Sequence, residues 1–79
     1  MKIRKIFMDN KEEKVFIYEN KKEEYFMVAF PSAEWSIQFT YDEFGESLIN
    51  KLIKSLTNRL NEEQAEALAL RIDQWTKEM

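Results

Sequence analysis

The side chains that could carry chemistry in this chain are carboxylates, lysines, tyrosines and serines, because the sequence contains no His and no Cys. A Ser-His-Asp or Cys-His relay therefore cannot be assembled, and neither can a zinc site of the usual Cys and His ligands. The single glycine, Gly45, excludes a P-loop or a GxGxxG turn, since both need several glycines for close approach to phosphate. We expect no catalytic residue, no metal site, no cofactor and no enzymatic activity.

Adjacent acidic residues are the strongest remaining candidates for carboxylate chemistry. They fall at predicted turns and at a predicted helix start, where negative charge is favourable for structural reasons. A Ser-Lys dyad from Ser47 or Ser55 is supported by no spacing in the sequence. We interpret the acidic pairs as solvated surface groups; they are Glu12-Glu13, Glu23-Glu24 and Glu62-Glu63.

The length of 79 residues predicts a single domain, spanning residues 1–79, with a small core. A chain of this size buries only about 60–65% of the surface that its unfolded form exposes. No disulfide is available to compensate, so stability must come from the aromatic residues or from burial against a second copy. A homodimer is therefore one of the partner arrangements that we expect.

The charge distribution indicates which partners are unfavourable. Twelve basic and fifteen acidic residues leave a net charge of −3, which is no electrostatic footprint for duplex DNA. The apolar run from Ile3 to Met8 is interrupted by Arg4 and Lys5 and is too short for a signal segment or a membrane span. We predict a cytoplasmic protein that binds no membrane and for which nucleic acid is an unfavoured partner.

The hydrophobic period changes near residue 40. Before it, runs of β-branched and aromatic residues are separated by short polar clusters, the pattern of an antiparallel meander. After it, apolar residues recur with the spacing of amphipathic helices. The pattern predicts strands over residues 2–8, 14–19, 24–30 and 35–40, and helices over residues 41–58 and 62–78. The predicted fold class is α+β, a four-stranded antiparallel meander followed by a helical hairpin packed on one sheet face (ββββαα).

Local signals refine the ends of these elements. Asn10 and Asn20 are the natural residues for left-handed turn positions, since no glycine is available there. A polar residue followed three positions later by Glu or Gln predicts a capping box at the start of each helix. The predicted boxes are Thr40 with Glu43 and Asn61 with Gln64.

Strand pairing assigns the core residues to one face of the sheet, which we call the inner face. A loop at residues 31–34 places Phe30 opposite Trp35, so that alternate residues of the last two strands share this face. The helical hairpin is expected to cover it. The predicted core comprises Val28, Phe30, Trp35, Leu52, Leu56 and Ile72.

The opposite face, which we call the outer face, is more apolar than a solvated face should be. A loop at residues 20–23 places Tyr18 opposite Tyr25 and Ile17 opposite Phe26. The register of the first strand stays open, because its apolar residues do not alternate and a one-residue change of loop length inverts them. The outer face is predicted to carry Phe16, Tyr18, Tyr25, Met27 and Ala29.

This outer face is the candidate functional surface. Exposed aromatic and Met side chains grouped on one face are typical of an interface centre, so we predict a protein-interaction module that binds a protein partner or itself. The alternatives are a different strand register, long Lys and Glu side chains that partly cover the patch, or a single-stranded nucleic-acid platform with stacked bases and lysine contacts to phosphate. The candidate interaction residues are Phe16, Tyr18, Tyr25 and Met27; lysines for the nucleic-acid alternative are Lys5, Lys14, Lys21 and Lys22.

Three segments give the chain a family resemblance. Residues 16–25 read FIYENKKEEY, residues 28–31 read VAFP, and Trp35 is followed by Ser36. With these segments the chain resembles the small YueH-like proteins of Bacillus and its relatives over nearly its whole length. The resemblance implies no activity, cofactor or site residue, because that family has no assigned function.

Overall fold

Four strands precede two helices along the chain. The computed structural model describes residues 1–79, and its sheet has the order β1-β2-β3-β4 with every neighbouring pair antiparallel. The elements are β1 (Lys2–Met8), β2 (Lys11–Asn20), β3 (Tyr25–Phe30), a 3-10 turn (Pro31–Ala33), β4 (Trp35–Thr40), α1 (Gly45–Leu56) and α2 (Glu62–Glu78). The predicted α+β class and the order ββββαα are confirmed.

The chain divides into two compact units, residues Met1–Tyr41 with the sheet and residues Asp42–Met79 with the helices. In the first unit the buried apolar residues of the sheet lie on the inner face. In the second unit α1 and α2 contact each other and bury their apolar stripes. The single domain and the packing of the hairpin on the sheet stay predictions.

The β1–β2 turn is shorter than the connection predicted between the strands over residues 2–8 and 14–19. Asp9 and Asn10 both adopt left-handed backbone, with φ of 53° and 64°, and β2 already begins at Lys11 rather than at Lys14. A two-residue turn with two left-handed positions matches the twist of antiparallel strands, and Asp and Asn tolerate that conformation. The left-handed prediction for Asn10 is confirmed.

The β2–β3 connection corrects a register prediction. Tyr18 lies opposite Met27 rather than Tyr25, and Ile17 lies opposite Val28 rather than Phe26. Asn20 is the last residue of β2, so its predicted left-handed conformation is wrong, and Glu24 has it instead with φ of 58°. Because the partners change by an even number of residues, every side chain keeps its predicted face.

Asn20 contributes to this turn through its side chain instead of its backbone conformation. The backbone N–H of Glu23 donates to Asn20 Oδ1 at 2.9 Å. This bond stabilises the turn and lets Asn20 remain in the strand, which explains why the loop begins one residue later than expected.

The β3–β4 pairing agrees with the sequence. Phe30 lies opposite Trp35 across the predicted loop, and Glu34 completes that loop with φ of 50°. All six predicted core residues are buried. On the inner face of the sheet the buried residues are Ile6, Val15, Ile17, Val28, Phe30, Trp35 and Phe39.

The first helix begins later than predicted. Its N-cap is Phe44, which makes no side-chain cap, and the helix spans Gly45–Leu56 rather than residues 41–58. The predicted Thr40 and Glu43 capping box is therefore wrong. Gly45 has φ of 64°, a left-handed conformation that an L side chain resists, so its backbone sets where the helix begins.

The second helix matches its prediction. The backbone N–H of Gln64 donates to the Asn61 side chain at 2.8 Å, and that of Asn61 donates to the Gln64 side chain at 3.4 Å. The capping box at Asn61 is confirmed. Asp73 is buried although its side chain is acidic, and Lys77 Nζ lies 2.9 Å from its carboxylate.

Candidate interaction surface

The outer face is built from alternate residues of four paired strands, so its side chains lie in rows across the sheet. Residues directly opposite each other on neighbouring strands share a face, and their Cβ atoms are about 5 Å apart. The two central rows are Ile3, Phe16, Ala29 and Ser36, and then Tyr18, Met27 and Gln38. The apolar part of both rows lies on β1, β2 and β3, and the polar part lies on the edge strand β4.

The four predicted interaction residues are brought together on this face. Tyr18 and Met27 are exposed, with 39% and 42% of their surfaces accessible, whereas Phe16 and Tyr25 are half-buried. The Tyr18 and Tyr25 ring centroids lie 6.2 Å apart at 58°, a tilted aromatic pair. The pair links Tyr25, in the last paired row beside the β2–β3 turn, to Tyr18 in a central row. Whether these residues bind a partner stays a prediction.

The outer face carries two further apolar residues that the sequence pattern does not predict, because the apolar residues of the first strand do not fix its register. Ile3 lies opposite Phe16 and is 52% exposed, and Phe7 lies opposite Glu12 and is 74% exposed. The signal that could have found them is the Asp9-Asn10 pair, which fits a two-residue turn. That turn length places Ile6 on the inner face and Ile3 and Phe7 on the outer face.

Charged residues flank the apolar rows at the end near the β1–β2 turn. Lys5 lies directly opposite Lys14, an arrangement of like charges that is unfavourable by itself. The Lys5 ammonium lies 3.5 Å from a carboxylate oxygen of Glu12, which compensates part of this repulsion. The outer face therefore carries charges of both signs at one end.

A shallow cleft of about 380 Å³ opens where β2 continues beyond the end of β3. The Ser32 hydroxyl donates to the Glu13 carboxylate and closes one of its sides. Phe16 belongs both to the cleft and to the central rows, so the two surfaces are continuous. The cleft is lined by Glu12, Glu13, Lys14, Phe16, Pro31 and Ser32.

The Tyr41 side chain has a raised pKa that is explained by its neighbours. Its hydroxyl donates to the Glu19 carboxylate, and this hydrogen bond, with a smaller effect of burial, raises the pKa of Tyr41 to about 12. The Phe26 ring lies between this residue and the core, 5.3 Å from the Tyr41 ring and 5.5 Å from the Phe39 ring. A phenol with a raised pKa stays protonated at neutral pH and is a poor general base. The Tyr41–Glu19 hydrogen bond therefore indicates a structural role.

No group of three or more acidic side chains is arranged so that it could hold a metal ion. Neither helix combines the length and the apolarity that a membrane crossing requires.

The comparisons with known proteins identify the family. Residues 2–78 match the family described as YueH-like protein. The chain belongs to the YueH-like family. It is 38% identical over 65 residues to Uncharacterized protein YueH of Bacillus subtilis (strain 168), covering 82% of this chain and 79% of that relative. No solved structure matches the chain.

Membership of the YueH-like family confirms the resemblance of residues 16–25, 28–31 and 35–36. The name of the Bacillus subtilis relative assigns no activity. The function of this chain must therefore be argued from its surfaces, and the outer face carries four of the seven exposed large hydrophobic residues, namely Ile3, Phe7, Tyr18 and Met27.

Proposed function

We propose that this YueH-like chain is a non-enzymatic, cytoplasmic interaction protein whose outer face binds a second copy of itself. The observation that carries the proposal is the position of Tyr18 opposite Met27, both exposed, between the half-buried Phe16 and Tyr25. Grouped aromatic and Met side chains on a regular surface are typical of the centre of a protein interface. Removing them from water is favourable by about 25 cal/mol for each Å² of apolar surface.

A second copy fits this face better than a strongly charged partner does. The charged groups of the outer face include the cationic Lys5 and Lys14 and the anionic Glu12. A surface with both signs can pair with itself, because a rotation brings opposite charges together. The net charge of −3 is small enough that repulsion between two whole copies is modest.

The dimensions of the face set the expected strength of the dimer. Four strands about 4.8 Å apart, each with about six residues at 3.3 Å, cover roughly 300–400 Å² per copy. A stable interface of standard size buries about 800 Å² per partner. The outer face alone therefore supports a weak dimer, with a dissociation constant on the order of 1–100 μM.

The absence of an enzymatic role is supported by the chemistry of the chain. It contains no His and no Cys, and the hydrogen bond from Tyr41 to Glu19 moves the pKa of that phenol away from neutrality. The exposed lysines of the outer face are accompanied by a carboxylate, which weakens their attraction for phosphate. A protein interface remains the best account of the exposed aromatic residues.

An NMR dilution series tests the proposed surface directly. Amide resonances of ¹⁵N-labelled protein are followed from about 500 μM to about 5 μM, a range that brackets the expected dissociation constant. We expect shifts in residues 16–18, 25–29 and 3–5 to follow one binding curve. Concentration-independent spectra, or shifts confined to residues 45–78, would overturn the proposal.

A further inference from the structure

On β3, the outer face carries a large exposed side chain, which forms a raised position, next to a small side chain, which leaves a hollow. Met27 is exposed, and Ala29, the next residue of β3 on the same face, offers only a methyl group. On β2, two large rings occupy the corresponding rows, Phe16 beside Ala29 and Tyr18 beside Met27. A raised residue beside a hollow on the same surface is complementary to a copy of itself that runs in the opposite direction.

We propose that two copies pack face to face about a two-fold axis that crosses the strands at the level of Ile17 and Val28. This geometry rests on the proposed function, and it specifies which residues meet. Each strand then faces the same strand of the partner in the reverse direction. Met27 sits over the partner's Ala29, and Phe16 sits over the partner's Tyr18.

The same axis pairs opposite charges at the ends of the face. Glu12 lies near one end of β2, and Lys21 and Lys22 form part of the turn that follows the other end at Asn20. The axis therefore brings Glu12 of each copy to the Lys21-Lys22 turn of the other. Both groups are exposed, so their contact contributes mainly orientation and a modest attraction.

The alternative two-fold axis, parallel to the strands and between β2 and β3, is less favourable. It keeps each row at its own level, so that Tyr18 meets the partner's Met27 and Phe16 meets the partner's Ala29, and the sizes of the side chains do not separate the two axes. It also places the Lys5 and Lys14 row of both copies at the same end of the dimer. Like charges brought together across an interface are strongly unfavourable, whereas the crossing axis separates the two cationic rows.

Cross-linking distinguishes the two axes because the chain contains no Cys. The variants Glu12→Cys and Lys22→Cys are mixed, treated with a short bismaleimide and read by intact mass. With the crossing axis, residues 12 and 22 of different copies are close, and two residues 12 are roughly 30 Å apart. With the parallel axis, the two residues 12 are close, and residues 12 and 22 of different copies are far apart.

Each outcome tests the choice of axis separately from the existence of the dimer. Cross-links between the two variants, with few within the Glu12→Cys protein alone, support the crossing axis. Cross-links within Glu12→Cys alone, or no cross-links from a protein that sediments as a dimer, overturn this axis and leave the proposed function standing. No cross-links from a protein that sediments as a monomer overturn both.

A charge exchange provides an independent test. We expect Glu12→Lys to weaken the dimer by about two- to five-fold, as for an exposed ion pair, and Lys22→Glu to do the same. The two substitutions together should restore the dissociation constant of the wild type. The control, Glu66→Lys on the exposed side of α2, makes the same charge change away from the outer face. Failure of the double variant to recover any affinity, measured by sedimentation, would overturn the pairing.

Discussion

Tyr18 and Met27 lie directly opposite each other across β2 and β3, and both remain exposed. Side chains in this position are normally polar on the solvent face of an antiparallel sheet. Here they are flanked by Phe16 on the same strand and by Tyr25, whose ring pairs with that of Tyr18. This local departure from the usual alternation is the reason for assigning the outer face to binding.

The inner face should contribute most of the stability of the sheet. Trp35 is buried opposite Phe30, and we expect Trp35→Ala to lower the free energy of unfolding by about 3–5 kcal/mol. Urea denaturation followed by circular dichroism measures the loss. Because the variant can fail to fold, Trp35→Phe, with an expected smaller loss, keeps the experiment informative. A Trp35→Ala protein with the melting temperature of the wild type would contradict the core assignment.

Gly45 should resist substitution for conformational reasons alone. Its φ of 64° is unfavourable for other residues, and beyond its chain neighbours and its own helix backbone no atom lies within 4 Å of the position that a Cβ would occupy. We expect Gly45→Ala to cost about 1–2 kcal/mol, the penalty for left-handed backbone, although Ala is otherwise the better helix former. Gly45→Asn should cost less, because Asn tolerates this conformation. A Gly45→Ala variant that is more stable than the wild type in urea would be inconsistent with this start of α1.

The Tyr41 and Glu19 pair predicts a pH dependence at high pH. The pKa of Tyr41 is raised from 10.0 to about 12 in the folded state, so folding favours the protonated phenol. The resulting stabilisation is fully present below about pH 10 and is lost as the pH rises through about 12. Urea unfolding at pH 9 and pH 11 should show a smaller decrease for Tyr41→Phe than for the wild type. Equal decreases would mean that the hydrogen bond does not form in solution.

Single-stranded nucleic acid should not bind the outer face. If bases stacked on Tyr18 and Tyr25, an oligonucleotide would quench tyrosine fluorescence and its affinity would fall as salt rises. We expect no quenching by a mixed-sequence oligonucleotide at low salt. Lys14→Glu serves as the control, since it would abolish any electrostatic binding at this face. Micromolar, salt-sensitive quenching would replace the protein-interface account with a nucleic-acid one.

Much of the fold could be predicted because its signals are local and redundant. The change of period near residue 40 separates the sheet from the helices, and the Asn61 box marks the start of α2. The faces of β2 and β3 were assigned correctly despite a wrong register, because the error was even and side chains alternate with a period of two.

The parts that could not be predicted depend on backbone conformations that several residues can adopt. Glu24 and Glu34 occupy left-handed positions that the sequence alone favours for Asn or Gly. The start of α1 followed the left-handed Gly45 rather than the capping pattern at Thr40. The length of the β1–β2 turn determines which face Ile3 and Phe7 occupy, and the apolar pattern of the first strand does not fix that length.

Sedimentation equilibrium of the wild type and of Tyr18→Lys with Met27→Lys is the most direct test of binding through the outer face. The control, Ala67→Lys with Leu70→Lys, introduces the same charge at exposed positions of α2. We predict that the wild type and the control dimerise with dissociation constants of about 1–100 μM, and that the outer-face variant remains a folded monomer. A wild type that is monomeric at all concentrations up to about 100 μM, or a Tyr18→Lys with Met27→Lys protein that dimerises as the wild type does, would contradict the account.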